Sequence, residues 1–291
     1  MDINAEAIKK NISQFKLLYA SLAAVSLLNI GLLYDLIQDW IRDDNYSHGF
    51  FIIPLSLYII YKKRDQLAFP AKNSTKGLIL FVLGCLGLIV ATAASEYFTS
   101  RVSFIMMISG ISLYFIGEEN FKKLWFAFVF LIFMVPIPAI IYYAATLPMQ
   151  LFATKATVFL LHTIGVPVAR NGNIIQLPSY QLEVVEACSG LRSLVTLLAL
   201  SSLYAYFYMK GKVVTTVLFL SAIPIAIVAN VFRIFITAIA AYAISEELAE
   251  DFLHDFSGFL VFFIALILIM ICSGILRLIQ KRFEKSANPT Q

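Results

Sequence analysis

The stretch Glu186-Ala187-Cys188-Ser189-Gly190-Leu191-Arg192-Ser193 sets a thiol among polar and charged neighbours. A cysteine is a nucleophile only as its thiolate, and an ordinary pKa near 8.5 leaves little thiolate at neutral pH. Two features favour the anion. With a helix beginning at Ser189 or Gly190, Cys188 stands at its N-terminus, where the helix dipole is positive. Arg192, four residues on, adds its charge from the same helical side. Glu186 is close enough in sequence to tune the thiol, and the free backbone N–H groups beside Gly190 are able to meet a tetrahedral oxyanion. Two further clusters complete a catalytic set. Asn230 and Arg233 are spaced i,i+3 and face one way, which suits a developing oxyanion or a substrate carboxylate. His254, followed by Asp255, Ser257 and Gly258, is a candidate base and then acid to a leaving amine. His48, within Tyr46-Ser47-His48-Gly49, is a fourth candidate, either acting directly or capping a helix. Each residue alone has a plainer reading. Cys188 is then packing at a helix start, Arg233 a snorkelling side chain, His254 a solvated group in an acidic loop, and Glu183 and Glu186 hairpin surface. No His/Cys/carboxylate set has metal-ligand spacing and there is no glycine-rich phosphate loop, so neither metal nor nucleotide cofactor is expected.

The elements that must position these groups are membrane helices. Of the 291 residues 60% are hydrophobic and only 14% charged, where soluble domains carry about 45–50% and about 25%. With a mean hydropathy of +0.84 and a net charge of +4, a soluble enzyme, a nucleic-acid binder and a disordered protein are excluded. Cys85 and Cys272 sit in apolar runs and read as small buried hydrophobes, so the three cysteines form no disulfide framework. Apolar runs long enough to cross a bilayer occur near 17–37, 49–61, 77–94, 102–117, 124–143, 191–209, 213–242 and 259–276. The first lacks a small-residue cleavage site and is read as a retained anchor rather than a signal peptide. The expected fold is thus an all-α, polytopic integral membrane protein of about eight spans. Residues 1–16 and 277–291 would be cytoplasmic ends, and 17–276 a single membrane domain.

Sixteen of the 22 basic residues fall in alternate connections, which makes both termini cytoplasmic by the positive-inside rule. Between 144 and 190 the pattern changes. Residues 146–164 read as an interfacial helix or one more partial span. Asn171-Gly172, between β-branched runs, is a turn signal for a small hairpin, giving an external cap that leads into Cys188. Ionisable residues at span edges are functional by default, and this topology brings them to one level. Cys188, His254 and His48 each precede a descending helix. Arg233 lies 20 residues beyond Val213 on an ascending one, a rise of about 30 Å. All four therefore converge on the external leaflet.

Taken together, the Cys-Ser-Gly-x-Arg element at 188–192, the Asn-x-x-Arg at 230–233 and His254 with Gly258 resemble the exosortase/archaeosortase family of membrane transpeptidases. Tyr46-Ser47-His48-Gly49 with Pro54 is similar to that family's N-terminal pattern, and the likeness runs from about 46 to 276. The resemblance implies Cys188, Arg233 and His254 as catalytic residues. Glu186, Ser189, Gly190, Arg192, Asn230 and His48 would support them or bind substrate. It implies substrates that are secreted proteins ending in a Pro-containing motif, a transmembrane helix and a basic tail. The enzyme would cut outside that helix and transfer the new carboxyl end to an acceptor, in the inner membrane, with membrane lipids and exopolysaccharide assembly machinery as further partners. A histidine at 254, where archaeal relatives usually have arginine, points to the bacterial branch and PEP-CTERM-type substrates. Some bacterial members carry an additional C-terminal domain, which a chain ending at Gln291 is expected to lack. A competing reading is a transporter or lipid flippase with Asn230, Arg233 and His254 lining a pathway, and a third is a scaffold for polysaccharide assembly with no chemistry.

Overall fold

A computed structural model describes the backbone of residues 2–69, 71–178, 180–184, 191–243 and 253–287. Within these it describes all side chains except those of 2–12, 191, 253–261, 281 and 283–287. The chain divides into two compact units, Met1–Pro138 and Ala139–Gln291. Between them runs Val135-Pro136-Ile137-Pro138, whose prolines cannot continue a helix.

The first unit begins with α1 (Asp2–Leu28) and α2 (Ile30–Arg42). The expected span at 17–37 is not one straight helix: it breaks at Asn29, and the two pieces meet at 71°. The Asn29 side chain donates to the Val25 carbonyl at 2.8 Å, a local bond that competes with helix continuation. Next come α3 (Gly49–Lys63), α4 (Thr75–Ala93) and α5 (Tyr97–Phe130), the last followed by a 3₁₀ turn over Leu131–Met134.

Although α5 is continuous by hydrogen bonding, Gly117 within it has φ +77° and ψ 163°, which no helix contains. The chain reverses there. Arg101 pairs with Asp39 at 2.6 Å, and Trp40, the next residue, donates to the Met134 carbonyl at 2.9 Å. In a straight helix Arg101 and Met134 would stand about 50 Å apart. Adjacent residues reach both, so the arms 97–116 and 118–130 lie side by side. Connection 64–74 packs over the reversal: Asn120 bonds both the N–H and the carbonyl of Ala68, and Lys123 donates to the Gln66 carbonyl. A Cβ on Gly117 would come 2.8 Å from the Lys72 carbonyl, so glycine is required for space as well as for φ.

The first arm of α5 packs against α4 through glycine. A Cβ on Gly77 would overlap the Tyr114 backbone, and one on Gly110 would lie 2.5 Å from the Phe81 nitrogen. Such small-residue seams let membrane helices pack backbone to backbone. Leu18 and Val25 of α1 complete this core with Phe104, Met107, Ile111, Leu124 and Phe128.

The second unit contains α6 (Ala139–Thr163), β1 (Ala169–Asn171), β2 (Ile174–Gln176), β3 (Gln181–Glu183), α7 (Leu191–Tyr208), α8 (Lys212–Ala243) and α9 (Leu253–Ala287). The expected span at 124–143 does not exist as one helix, since the proline pair divides it. Residues 146–164, read as interfacial or a partial span, belong to a 25-residue helix apolar and long enough to cross a membrane. The strands form an antiparallel sheet in the order β1-β2-β3. The hairpin is there, with a third strand added. Asn171 pairs with Ile174, so its two-residue loop is Gly172-Asn173 rather than Asn171-Gly172. Gly172 has φ +62°, the sign that a II′ hairpin demands at its first loop position.

Among the described residues five helices qualify as spans, or six if the bent α1–α2 pair is one, so the expected count of eight is not confirmed. Neither α3, with 15 residues, nor α7, with 18, is among them. The polar ends read as tails continue as helix, from Asp2 in α1 and to Ala287 in α9. The protein is an all-α polytopic membrane protein carrying one small sheet.

Candidate functional site

Helix α8 carries the described part of the site. Its inward face is a ladder of small residues, Ala222, Ala226 and Ala229, which packs with Leu197 of α7 and Ala265 and Ile269 of α9. One turn further the same buried face presents Asn230, 2% exposed, and Arg233, 9% exposed. A guanidinium held inside a membrane protein is expensive, and such groups mark functional sites by default. The expectation that the two residues share a face is met.

The sheet caps the α6–α8 pair. Ile175, Leu177 and Val184 form one apolar cluster with Leu161 of α6 and Val231, Ile234, Ala238 and Ala241 of α8. Arg233 therefore sits beside the sheet, between the alanine ladder and the cap. Val184 is the last described residue before Cys188, and its carbonyl is held by the Asn173 side chain at 3.2 Å.

Helices α7 and α8 are joined by a short turn in which Gly211 has φ +89°. Measured back from that turn, Leu191 at the start of α7 is about 26 Å up the helix, and the residue of α8 at the same height is Ala229. Thus α7 starts at the level of Asn230. Arg192 is exposed on its first turn, with its carbonyl accepting from the Thr196 hydroxyl at 3.0 Å.

Cys188, Glu186, Ser189 and Gly190 lie outside the described residues. His254 is described in backbone only, as the second residue of α9. His48 belongs to the first unit. It occupies the N-cap position of α3 but makes no side-chain capping bond. Its ring instead meets the Phe133 carbonyl at 3.0 Å. A carbonyl only accepts, so Nε2 carries the hydrogen.

Sequence reasoning missed the α6 side of the site. Thr146, Gln150, Thr154 and Thr157 are all buried along one face of α6, and the Thr157 hydroxyl donates to the Val231 carbonyl at 3.4 Å. The signal was present: these residues recur at intervals of four, four and three, the period of one helical face. Between α6 and α8 is a cavity of about 150 Å³ lined by Pro148, Met149, Phe152, Ala153, Ile227 and Asn230. Its walls are apolar apart from one carboxamide, suited to an apolar side chain whose neighbouring peptide group meets Asn230. No group of three or more His, Cys, Asp or Glu able to hold a metal occurs among the described residues.

A model of the transmembrane exosortase family matches residues 40–271, about four-fifths of the chain and both of its units. Neither a curated protein nor a solved structure matches. The matched stretch contains the thiol motif, the Asn230–Arg233 pair and the two histidines discussed above. The chain therefore belongs to the transmembrane exosortases, a family of membrane proteases and transpeptidases that act in protein sorting.

Proposed function

We propose that this exosortase is a cysteine transpeptidase working at the external face of the inner membrane, with both termini in the cytoplasm. Its substrates are secreted proteins whose C-terminal signal joins a Pro-containing motif to a transmembrane helix and a basic tail. The observation that carries the reading is the buried guanidinium of Arg233, 9% exposed, at the height where α7 begins. The start of α7 follows Cys188 by three residues in sequence. A positive charge and a helix N-terminus beside one thiol both favour thiolate.

The chemistry follows from these groups. The Cys188 thiolate attacks the scissile carbonyl and forms a carbon–sulfur bond, and the carbonyl oxygen takes up the electron pair. Arg233 stabilises that oxyanion. Its collapse breaks the carbon–nitrogen bond, and His254 gives a proton to the departing amine. An acceptor amine, giving its proton to the now neutral His254, then attacks the thioester, and collapse of that adduct breaks the carbon–sulfur bond and releases the thiolate. Asn230 and the apolar cavity beside it hold the substrate chain. Glu186, Ser189, Gly190 and Arg192 shape the thiol's surroundings, and exopolysaccharide assembly is the setting in which the product is used.

Cells carrying Cys188→Ala and a tagged substrate with this signal are expected to accumulate it at full length. Thiol-reactive reagents should stop processing by the wild type. Normal processing by Cys188→Ala removes the proposal.

A further inference from the structure

The bend at Asn29 creates a second polar site in the first unit. The 71° turn at Asn29 carries α2 off the axis of α1. Ile30, Tyr34, Ile37 and Ile41 form an exposed apolar stripe on α2, while Leu36 and Trp40 bury inward. That is the pattern of a helix lying in the lipid interface. Between α2 and the start of α5 is a cavity of about 260 Å³ whose polar lining is Asp35, Thr92, Ser95, Glu96, Ser100 and Arg101.

The charges in this cavity are built in. Arg101 is 5% exposed, and its Nη2 donates to Asp39 at 2.6 Å. Among the described residues no other guanidinium N–H of Arg101 is taken, out of five such donors. Glu96 accepts from the N–H groups of Phe98 and Thr99, and a hydrogen bond from the Thr99 side chain, above all, keeps its carboxyl below the usual carboxylate range. Asp35 is exposed and makes no hydrogen bond or ion pair among the described residues. A bare anion drawn to Arg101 would face two carboxylates, and a bare cation drawn to them would face Arg101. A group carrying both charges a few ångströms apart satisfies the whole lining.

We propose that this cavity binds the headgroup of an aminophospholipid, phosphate on the remaining N–H groups of Arg101 and ammonium on Asp35 and Glu96, with the acyl chains along α2. The site is separate from the transpeptidase chemistry and stands whether or not Cys188 is the nucleophile.

The test uses the full chain, purified in mild detergent and incubated with phosphatidylethanolamine, phosphatidylcholine or phosphatidylglycerol, with bound lipid counted by native mass spectrometry. Phosphatidylethanolamine should be retained about tenfold more than either of the others, the scale of one charge-assisted hydrogen bond. Phosphatidylcholine has no N–H to give Asp35, and phosphatidylglycerol no cation. Asp35→Asn should bring phosphatidylethanolamine down to the phosphatidylcholine level at unchanged melting temperature, because that carboxylate has no partner to lose. Arg101→Gln should abolish retention. Equal retention of the three lipids, or an unchanged preference in Asp35→Asn, overturns the proposal. Stabilisation by inorganic phosphate or soluble phosphoethanolamine equal to that by the lipid also overturns it, by assigning the cavity to a solute.

Discussion

The two units are cemented differently. In the first, helices close on glycine. Gly77, Gly84 and Gly110 put the α4 and α5 backbones in contact, and the crossing side chains end on backbone carbonyls. Trp40 bonds Met134, Ser56 bonds Ala127 and Gln14 bonds Phe115. In the second, the helices close on alanine, and the buried face of α8 passes from that ladder straight into Asn230 and Arg233. A polar residue inside a membrane protein is therefore not informative by its presence alone. In the first unit several such residues tie elements together; in the second Asn230 and Arg233 lie a turn apart beside the cap.

Arg233 is where this contrast is sharpest. Arg233→Gln keeps a hydrogen-bond donor on the side chain but shortens it and deletes its charge. If Arg233 stabilises the oxyanion, substrate processing should fall by about 10²–10³-fold, the usual loss for one such donor. Thermal stability of the purified protein should change little. A variant that melts earlier and processes at the normal rate once folded would make Arg233 another tie, as in the first unit.

The glycine seam should give the opposite result. Gly110→Ala places a methyl 2.5 Å from the Phe81 nitrogen and 2.8 Å from its Cα. Those are backbone atoms of α4 and cannot swing aside. Overpacking of this kind destabilises by about 1–3 kcal/mol. The expected outcome is a lower melting temperature, with the activity of the folded fraction retained. Normal melting would mean that α4 and α5 are not closed on each other at this seam.

How far the sequence reached also divides along this line. The all-helical membrane fold was legible because apolar content is a bulk property, and the Asn230–Arg233 face because i,i+3 spacing fixes direction on a helix. The hairpin was legible in outline from Gly172. Breaks inside apolar runs were not. The α1–α2 bend lies in the Asn29 backbone, at φ −109° and ψ 26°, and Gly117 reverses α5 with a single pair of torsions; neither disturbs hydropathy. The proline pair at 136 and 138 was visible but was outweighed by the apolar residues around it. The polar face of α6 escaped because that segment was read for its hydrophobicity rather than its period. Cys188 and its immediate neighbours rest on the motif alone.

His48 offers the smallest effect and the finest discrimination. It was grouped with the site by its place before a descending helix, yet its ring meets the Phe133 carbonyl and fixes the start of α3 to the 3₁₀ turn after α5. That is the first unit's way of using a polar side chain. Losing one such hydrogen bond costs about 1 kcal/mol net. His48→Ala should therefore lower the melting temperature by a few degrees and leave processing by the folded enzyme near normal. Gln at this position can still donate to a carbonyl but cannot exchange a proton near neutral pH, so His48→Gln should recover part of the stability and all of the rate. A catalytic or proton-carrying His48 predicts the reverse: both variants would melt normally and both would process slowly, Gln no better than Ala.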